Sequence, residues 1–387
     1  MDNQIHTALV RLQQFMESSK FCGYDPYDTL NSPFNFKWFG KWGPAIAIQV
    51  QKRNPVNIRP LLGIKKGINP KGMGLMLKAF SLLYRKTGNS DSLEKARELF
   101  FWLNTHYSKG YAGKCWGYNF DWANPEGNLL AYTPSVVVTS FVADGMFEYF
   151  KATGSQEAQN AICSAAEYIR KDIPISEFPE GISFAYTHLS KGCCYNASLL
   201  AAEVLAKSDD VSKKIVNREN ILKAVDLVLS KQKQDGAWWY SYNPDTGKER
   251  KQIDFHQGFV LVSLHHVNQL MEKPRSDVQT AIAKGLAFYK ENQFLSTGQS
   301  LWRLPKKWPV DIHNQSQGII TFAKLKDYHP DNLTFAKIIA QWTIDHMQDK
   351  TGYFYYRKYP LFMNKVLYMR WSQAWMMLAL SELIQTE

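Results

Sequence analysis

The chain has 387 residues, with 46 Lys and Arg against 35 Asp and Glu, giving a net charge of +11 and a pI near 9.2. Its length can bury a large core, and 45% hydrophobic with 14% aromatic residues places it among globular proteins, not disordered or fibrous ones. Five irregularly spaced cysteines (Cys22, Cys115, Cys163, Cys193 and Cys194) argue against a disulfide scaffold, and no apolar run approaches the ~20 residues that span a bilayer. The first residues form an amphipathic pattern and lack the charged-then-apolar layout of a signal peptide, so a reducing, cytoplasmic setting is expected. The Lys and Arg residues are scattered, without a nucleic-acid-binding signature, which ranks nucleic acid low. An acidic glycan and an anionic membrane surface fit the charge equally well, so the chain is expected not to be transmembrane, while peripheral association stays open.

Residues 4–20 are predicted to form a helix, with Ile5, Leu9, Leu12 and Met16 on one stripe. Gly23 and Pro26 break it. A second, aromatic-rich helix is predicted over 36–53, followed by a Pro- and Gly-containing connection to Gly67. Two kinds of helix then alternate. One kind is apolar nearly all round, at 71–86, 134–152, 193–207, 255–271, 312–325 and 367–384. The other is amphipathic, at 91–107, 155–171, 218–232, 276–292 and 332–347, and is exemplified by the stripe Leu93, Ala96, Leu99, Phe100 and Leu103. The apolar helices start about 60 residues apart, a period that suits one helical hairpin plus a loop. Thr133-Pro134 is a cap followed by Pro at the first helical position, and Asp254 and Asp311 are expected to cap the helices they precede. Short aromatic segments follow most amphipathic helices: Cys115 to Phe120, Gly181 to Tyr186, Gly236 to Tyr242, Leu301 to Arg303 and Gly352 to Tyr356. Their alternation favours brief extended structure.

Helices apolar all round are buried, and amphipathic ones cover them. The expected fold is therefore all-α: a closed double ring of six helical hairpins, the (α/α)6 toroid, in one domain over residues 1–387. The first helix supplies the sixth outer member, and aromatic, β-like loops gather on one face. The helix starts on that face carry free N–H groups and positive partial charge. A concave site is expected there.

Candidate site residues lie in the loops and first turns of that face. His256 is the first choice for general acid or base, because its ordinary pKa lies near neutrality. Asp254 sits two residues before it, and Asp311 and His313 repeat the pattern one hairpin later. Asp25 and Asp28, flanking Pro26, are read as turn or cap residues or as catalytic carboxyls. Arg370, beside Trp371 and close to Tyr368, is expected to face an anion, structural or bound. Tyr195, Asn196, Asp311 and Gln257 are candidates to position sugar hydroxyls. Trp238, Trp239 and Tyr132 are candidates to stack on sugar faces. No metal ion and no cofactor are expected.

This architecture resembles the six-hairpin, (α/α)6-toroid superfamily of carbohydrate-active proteins, which includes unsaturated-glucuronyl hydrolases, N-acylglucosamine 2-epimerases and the helical domains of uronate lyases and C5-epimerases. More narrowly, Gly23-Tyr24-Asp25-Pro26-Tyr27-Asp28-Thr29-Leu30-Asn31-Ser32, Gln234-Asp235-Gly236-Ala237-Trp238 and Ile253-Asp254-Phe255-His256-Gln257-Gly258 are similar to a bacterial family encoded in surface-polysaccharide biosynthesis loci. Where His-Thr-Gly is frequent in such a motif, this chain has His256-Gln257-Gly258. The resemblance implies a role in O-antigen, capsule or exopolysaccharide assembly on a free or lipid-linked oligo- or polysaccharide. Hydrolysis by two carboxylates, epimerisation and elimination are all compatible with the candidate residues. Two other classes stay open: a non-catalytic glycan-binding protein of the assembly machinery, and a terpene-cyclase-like toroid. The second lacks an Asp-rich cyclisation motif in this chain.

Overall fold

The computed structural model describes residues 1–124 and 127–386. After α1 (Asp2–Ser18), 3-10 turns at Asp28–Asn31 and Phe36–Phe39 lead to α2 (Gly43–Arg53). Long helices then alternate: α3 (Pro70–Thr87), α4 (Ser90–Thr105), α5 (Val136–Thr153), α6 (Gln156–Asp172), α7 (Tyr195–Ser212), α8 (Arg218–Ser230), α9 (His256–Leu270), α10 (Ser276–Gln293), α11 (Ile312–Lys324), α12 (Asn332–Met347) and α13 (Trp375–Thr386). Helices α3, α5, α7, α9, α11 and α13 form the inner ring, where most positions are buried. The even-numbered helices from α4 to α12 bury one stripe each, as Ala96, Leu99, Phe100 and Leu103 do in α4. Helix α13 packs against both α11 and α3, and α1 covers α12 and α13, so the double ring closes as an (α/α)6 toroid.

Short antiparallel strands decorate the face where the inner helices begin. They are β1 (Trp122–Asn124) with β2 (Gly127–Leu129), β3 (Ile175–Phe178) with β4 (Gly181–Phe184), the trio β5 (Cys193–Cys194), β6 (Ser241–Tyr242) and β7 (Glu249–Arg250), and the trio β8 (Val310–Asp311), β9 (Arg357–Lys358) and β10 (Met363–Asn364). Three local expectations are corrected. The helix predicted over 36–53 is interrupted, because Gly40 takes a φ of +79° and starts the chain afresh at Gly43. The helix predicted from Cys193 begins at Tyr195, since the two cysteines pair with β6. Ser135, not Thr133, caps α5, its hydroxyl accepting from Val138 N–H at 3.2 Å.

A device recurs in five of the six hairpins. A glycine in or just before the aromatic segment lies against an outer helix, and a polar side chain at the start of the following inner helix, or for Gln373 in the π-helical turn Met369–Ala374 that leads into α13, clamps that segment. Thr139, Ser198, Gln257, Gln315 and Gln373 hold the clamp positions, 58 or 59 residues apart. Gln373 accepts from Phe354 N–H at 2.8 Å and donates to Phe354 C=O at 2.9 Å. Gln315 accepts from Ser300 N–H at 2.7 Å and donates to Gly298 C=O at 3.2 Å, and Gln257 holds Trp238 at both backbone groups. The clamps supply partners for buried backbone groups that no ladder reaches. At Gly352 (φ +104°) a methyl group would sit 2.3 Å from the Arg11 carbonyl oxygen of α1, so this glycine allows the last loop to seat on the first helix.

Toward the other end of the inner ring, charge replaces hydrocarbon. Lys78 of α3 bonds Asp144 of α5 at 2.7 Å and Glu382 of α13 at 3.1 Å. Lys324 of α11 meets the same Glu382 at 2.9 Å. Lys207 of α7 joins Asp144 to Glu203, and Glu203 meets His266 of α9 at 2.7 Å. One chain of ion pairs, extended to α9 by the hydrogen bond of His266, whose pKa burial lowers, thus touches all six inner helices. Burial works against the charge on Glu203 and Glu382, but Lys207 with His266, and Lys324 with Lys78, hold each carboxyl down at about 2.

Candidate active site

The loops before the inner helices bring four buried aspartates to the opposite face, and each is already engaged. Asp25 receives a two-pronged pair from Arg370, Nε at 2.6 Å and Nη2 at 2.8 Å. Asp28 accepts from Arg59 Nε at 2.6 Å and from Asp25 N–H at 2.9 Å. Burial nevertheless raises the Asp28 carboxyl to about 6, with Arg59 opposing. Asp311 is the N-cap of α11, and it also accepts from Arg357 Nε at 2.6 Å and Trp371 Nε1 at 2.8 Å. Asp254 accepts from Gln252 at 2.6 Å and from the His256 ring at 2.5 Å, with Arg303 3.7 Å away. Burial pushes the Asp254 carboxyl up, but His256 and Arg303 hold it below its ordinary value.

Two imidazoles remain open. An ionised Asp254 fixes the His256 proton on Nδ1, which leaves Nε2 free to accept. The His256 ring stacks on Phe255 at 4.3 Å and meets Tyr240 edge-on at 4.7 Å. His313 lies on the other neighbouring helix, 4.4 Å from the same Phe255 ring. Trp371 and Trp375 complete its surroundings, with centroids 4.5 and 4.6 Å away. His313 is buried and neither ring nitrogen has a hydrogen-bond partner among the described residues. Burial first, then Lys71, Arg370 and Lys52, hold it well below the usual histidine range, so it is neutral at pH 7.

Two lysines supply cationic capacity without a carboxylate. Lys71, in the first turn of α3, gives its backbone N–H to Asn69 Oδ1 at 3.0 Å, while its ammonium bonds no described residue. Its ammonium lies 4.2 Å from the Phe141 ring centroid and 5.2 Å from Trp375. Burial and Arg370 bring its pKa well down. Lys52 arrives from α2, which lies across this face; it touches the Tyr27 hydroxyl and lies over the Tyr27 and Trp371 rings at 4.0 and 5.4 Å. Burial and Arg357 lower Lys52 to about 7. Among the described residues, no three His, Cys, Asp or Glu side chains are grouped as a metal ion requires.

The predicted residues divide accordingly. His256, Asp254, His313, Asp311, Asp25, Arg370 and Trp371 come together, and Arg370 also lies 4.9 Å from the Tyr118 ring. Asp28 sits just behind, beneath Arg59, whose guanidinium covers the Tyr368 ring at 4.7 Å. Asn196 accepts from Cys194 Sγ at 3.0 Å. Trp238 is fully buried and donates to Val228 C=O at 2.8 Å, as a core residue does, and the Gln257 amide is occupied by the clamp. Tyr195 is buried, and that burial, with Cys193 and Glu249 adding to it, raises its hydroxyl pKa. Trp239 carries Lys233 over its ring at 3.6 Å, and Tyr132 is exposed beside a cleft of about 490 Å³ lined by Asn31, Lys65, Lys66 and Asn119. Sequence reasoning did not single out Lys52, Lys71, Arg59, Arg357, Tyr27 or Phe255. For Lys71 a signal was present: a lysine in the first turn of an otherwise apolar helix.

No family model and no curated protein matches the chain. Solved structures do. A cellobiose 2-epimerase from Bacillus thermoamylovorans superposes with a TM-score of 0.64 at 15% identity, covering 81% of this chain and 88% of that one. An unsaturated glucuronyl hydrolase specific for heparin gives 0.64 at 12% identity, covering 100% and 96%. A family-76 α-mannanase from Bacteroides thetaiotaomicron gives 0.61 at 13% identity, covering 82% and 85%. At such identities the likeness establishes the toroid fold, and chemistry has to be argued from the site.

Proposed function

We propose that the protein is a carbohydrate-active enzyme that epimerises an acidic sugar by proton transfer. The observation that carries this reading is the contrast between four engaged aspartates and two open imidazoles bridged by Phe255. Two-carboxylate hydrolysis needs one carboxyl free to protonate the leaving oxygen and another free to attack or to activate water. Asp25, Asp28 and Asp311 each already accept from an arginine, and Asp254 from the His256 ring and the Gln252 amide. Proton transfer instead needs a base, an acid and a positive field. His256 Nε2, oriented by Asp254, takes the proton from the carbon next to the sugar's carboxyl. The C–H electron pair moves into that carboxyl as an enolate, facing Lys71 and Lys52. His313, neutral, passes its ring N–H proton to the opposite face of the carbon while its other nitrogen takes a proton from a neighbouring ammonium, Lys71 or Lys52, so the ring stays neutral; the proton left on His256 and the one lost by the lysine are exchanged with water before the next turnover.

A cellobiose 2-epimerase and an unsaturated glucuronyl hydrolase are among the solved structures that share this fold, which supports the reading by analogy. Assembly of a bacterial surface polysaccharide, on a free or lipid-linked glycan, is the process we propose it serves, on the strength of the Gly23–Ser32 and Ile253–Gly258 segments.

The test is incubation with uronate-containing repeat units in heavy water, followed by mass spectrometry. Carbon-bound deuterium without cleavage, absent in His256→Ala and in His313→Ala, is expected. A shortened glycan with water added would establish hydrolysis, and an unsaturated product elimination. Tight binding without any change would identify a glycan-binding protein.

A further inference from the structure

Residues 33–66 present an apolar surface to solvent with no protein partner among the described residues. Helix α2 faces outward with Ile46 and Val50, while Gln51 is buried. Trp38 is 77% exposed, Phe39 72% and Leu61 85%. Phe34 packs its ring against Phe36, Trp38 and Phe39 at 5.1, 5.6 and 6.0 Å, so the aromatic cluster is preformed. A contiguous patch of this kind marks a docking surface. The tip of the β9–β10 hairpin, with exposed Leu361 and Phe362, continues it, tied to the connection after α2 by Asn364 Nδ2 donating to Asn54 C=O at 3.2 Å.

Charge selects the occupant. Between Asp28 and Asp91 there is no Asp or Glu. Exposed Lys37, Lys41, Arg53, Lys65 and Lys66 surround the apolar side chains. A second copy is disfavoured, because a twofold contact would set this acid-free patch against itself. Tryptophan and phenylalanine interleaved with lysine suit the headgroup layer of a bilayer, where rings enter the acyl boundary and ammonium groups meet phosphates. No described helix is long and apolar enough to cross a membrane, so the contact is a surface one.

We propose that residues 33–66 dock the protein on an anionic membrane surface. The same segment carries Lys52 over the candidate site, so docking sets that site at the bilayer. The inference stands apart from the epimerase reading, since it concerns where the site is held and not what it does.

The test is co-sedimentation of the intact protein with vesicles of phosphatidylglycerol and phosphatidylcholine, or of phosphatidylcholine alone. Binding to the anionic vesicles is expected, about tenfold weaker without phosphatidylglycerol and weakening with added salt. Trp38→Ser and Phe39→Ser, together with Trp42→Ser at the half-exposed ring just before α2, should reduce it about tenfold or more with the melting temperature retained, because the side chains are exposed. Lys37→Glu with Lys41→Glu should reduce it by a similar factor. Absence of vesicle binding, or binding that neither set of substitutions alters, would overturn the proposal. A dimer in sedimentation velocity that the aromatic substitutions dissolve would also overturn it, in favour of self-association.

Discussion

Single residues set the protonation states on which the proposed chemistry depends. Asp254 is placed two residues before His256, so the pair forms within one helix start. Asp254→Asn keeps the size and removes the charge that fixes the Nδ1 tautomer. Turnover is expected to fall about a hundredfold with little change in KM, measured on whichever repeat unit shows deuterium exchange. Lys52 carries charge below about pH 7 and loses it above. Affinity for an acidic sugar should therefore fall as pH rises through about 7. Lys52→Met should bind more weakly at pH 6 and show a flatter profile, read by titration calorimetry. Much of this site was legible from local pattern. Asp-x-His stands at the start of two inner helices, α9 and α11. Lys52, Arg59 and Arg357 were not legible, because they reach the site only when α2, the loop after it and the β9–β10 hairpin fold across the mouth.

At the scale of elements, the repeated clamp gives five of the six hairpins an internal fastening. Gln315→Ala would strand the buried Ser300 N–H and Gly298 C=O. We expect a cost of about 1–3 kcal/mol in denaturant unfolding, whereas an exposed glutamine such as Gln49 should cost almost nothing. Gly352→Ala should cost about 2 kcal/mol or more, from strain at positive φ and the collision with α1. The helices themselves were readable, since runs such as 134–152 are apolar on every face and their neighbours on one. The split of 36–53 was not read, although Gly40 and Gly43 bracket it, because the surrounding aromatics imitate helical periodicity. The clamp went unread because it joins a glutamine to a backbone some 20 residues earlier, a pairing that exists only once the loop is seated.

For the molecule as a whole, the ionic chain through the inner ring makes stability depend on acid. Glu203 and Glu382 titrate at about 2 when folded, against an ordinary value of 4.5. The native state binds fewer protons than the unfolded chain between those values. The stability these groups contribute is therefore present above about pH 4.5 and is lost as pH falls toward 2. Glu382→Gln should flatten the fall in melting temperature over that range. At neutral pH it should destabilise by about 3 kcal/mol, since Lys78 and Lys324 lose a buried partner. The toroid was expected from the spacing of apolar helices; the ionic chain was not, since its members are scattered singly over six segments.

The seam between α1 and the last hairpin also has a meaning in time. Gln348 donates to Ala8 C=O at 2.9 Å across 340 positions of sequence. A ribosome adding about 5–20 residues per second makes α1 tens of seconds before the helices that cover it. Through that interval Ile5, Leu9, Leu12 and Met16 have no native partner, and the growing ring is an open arc with two unsealed flanks. Chaperones that shield apolar stripes therefore have their longest opportunity at the first helix, and a chain cut short before α12 should be recognised as unfinished however well its middle hairpins have formed.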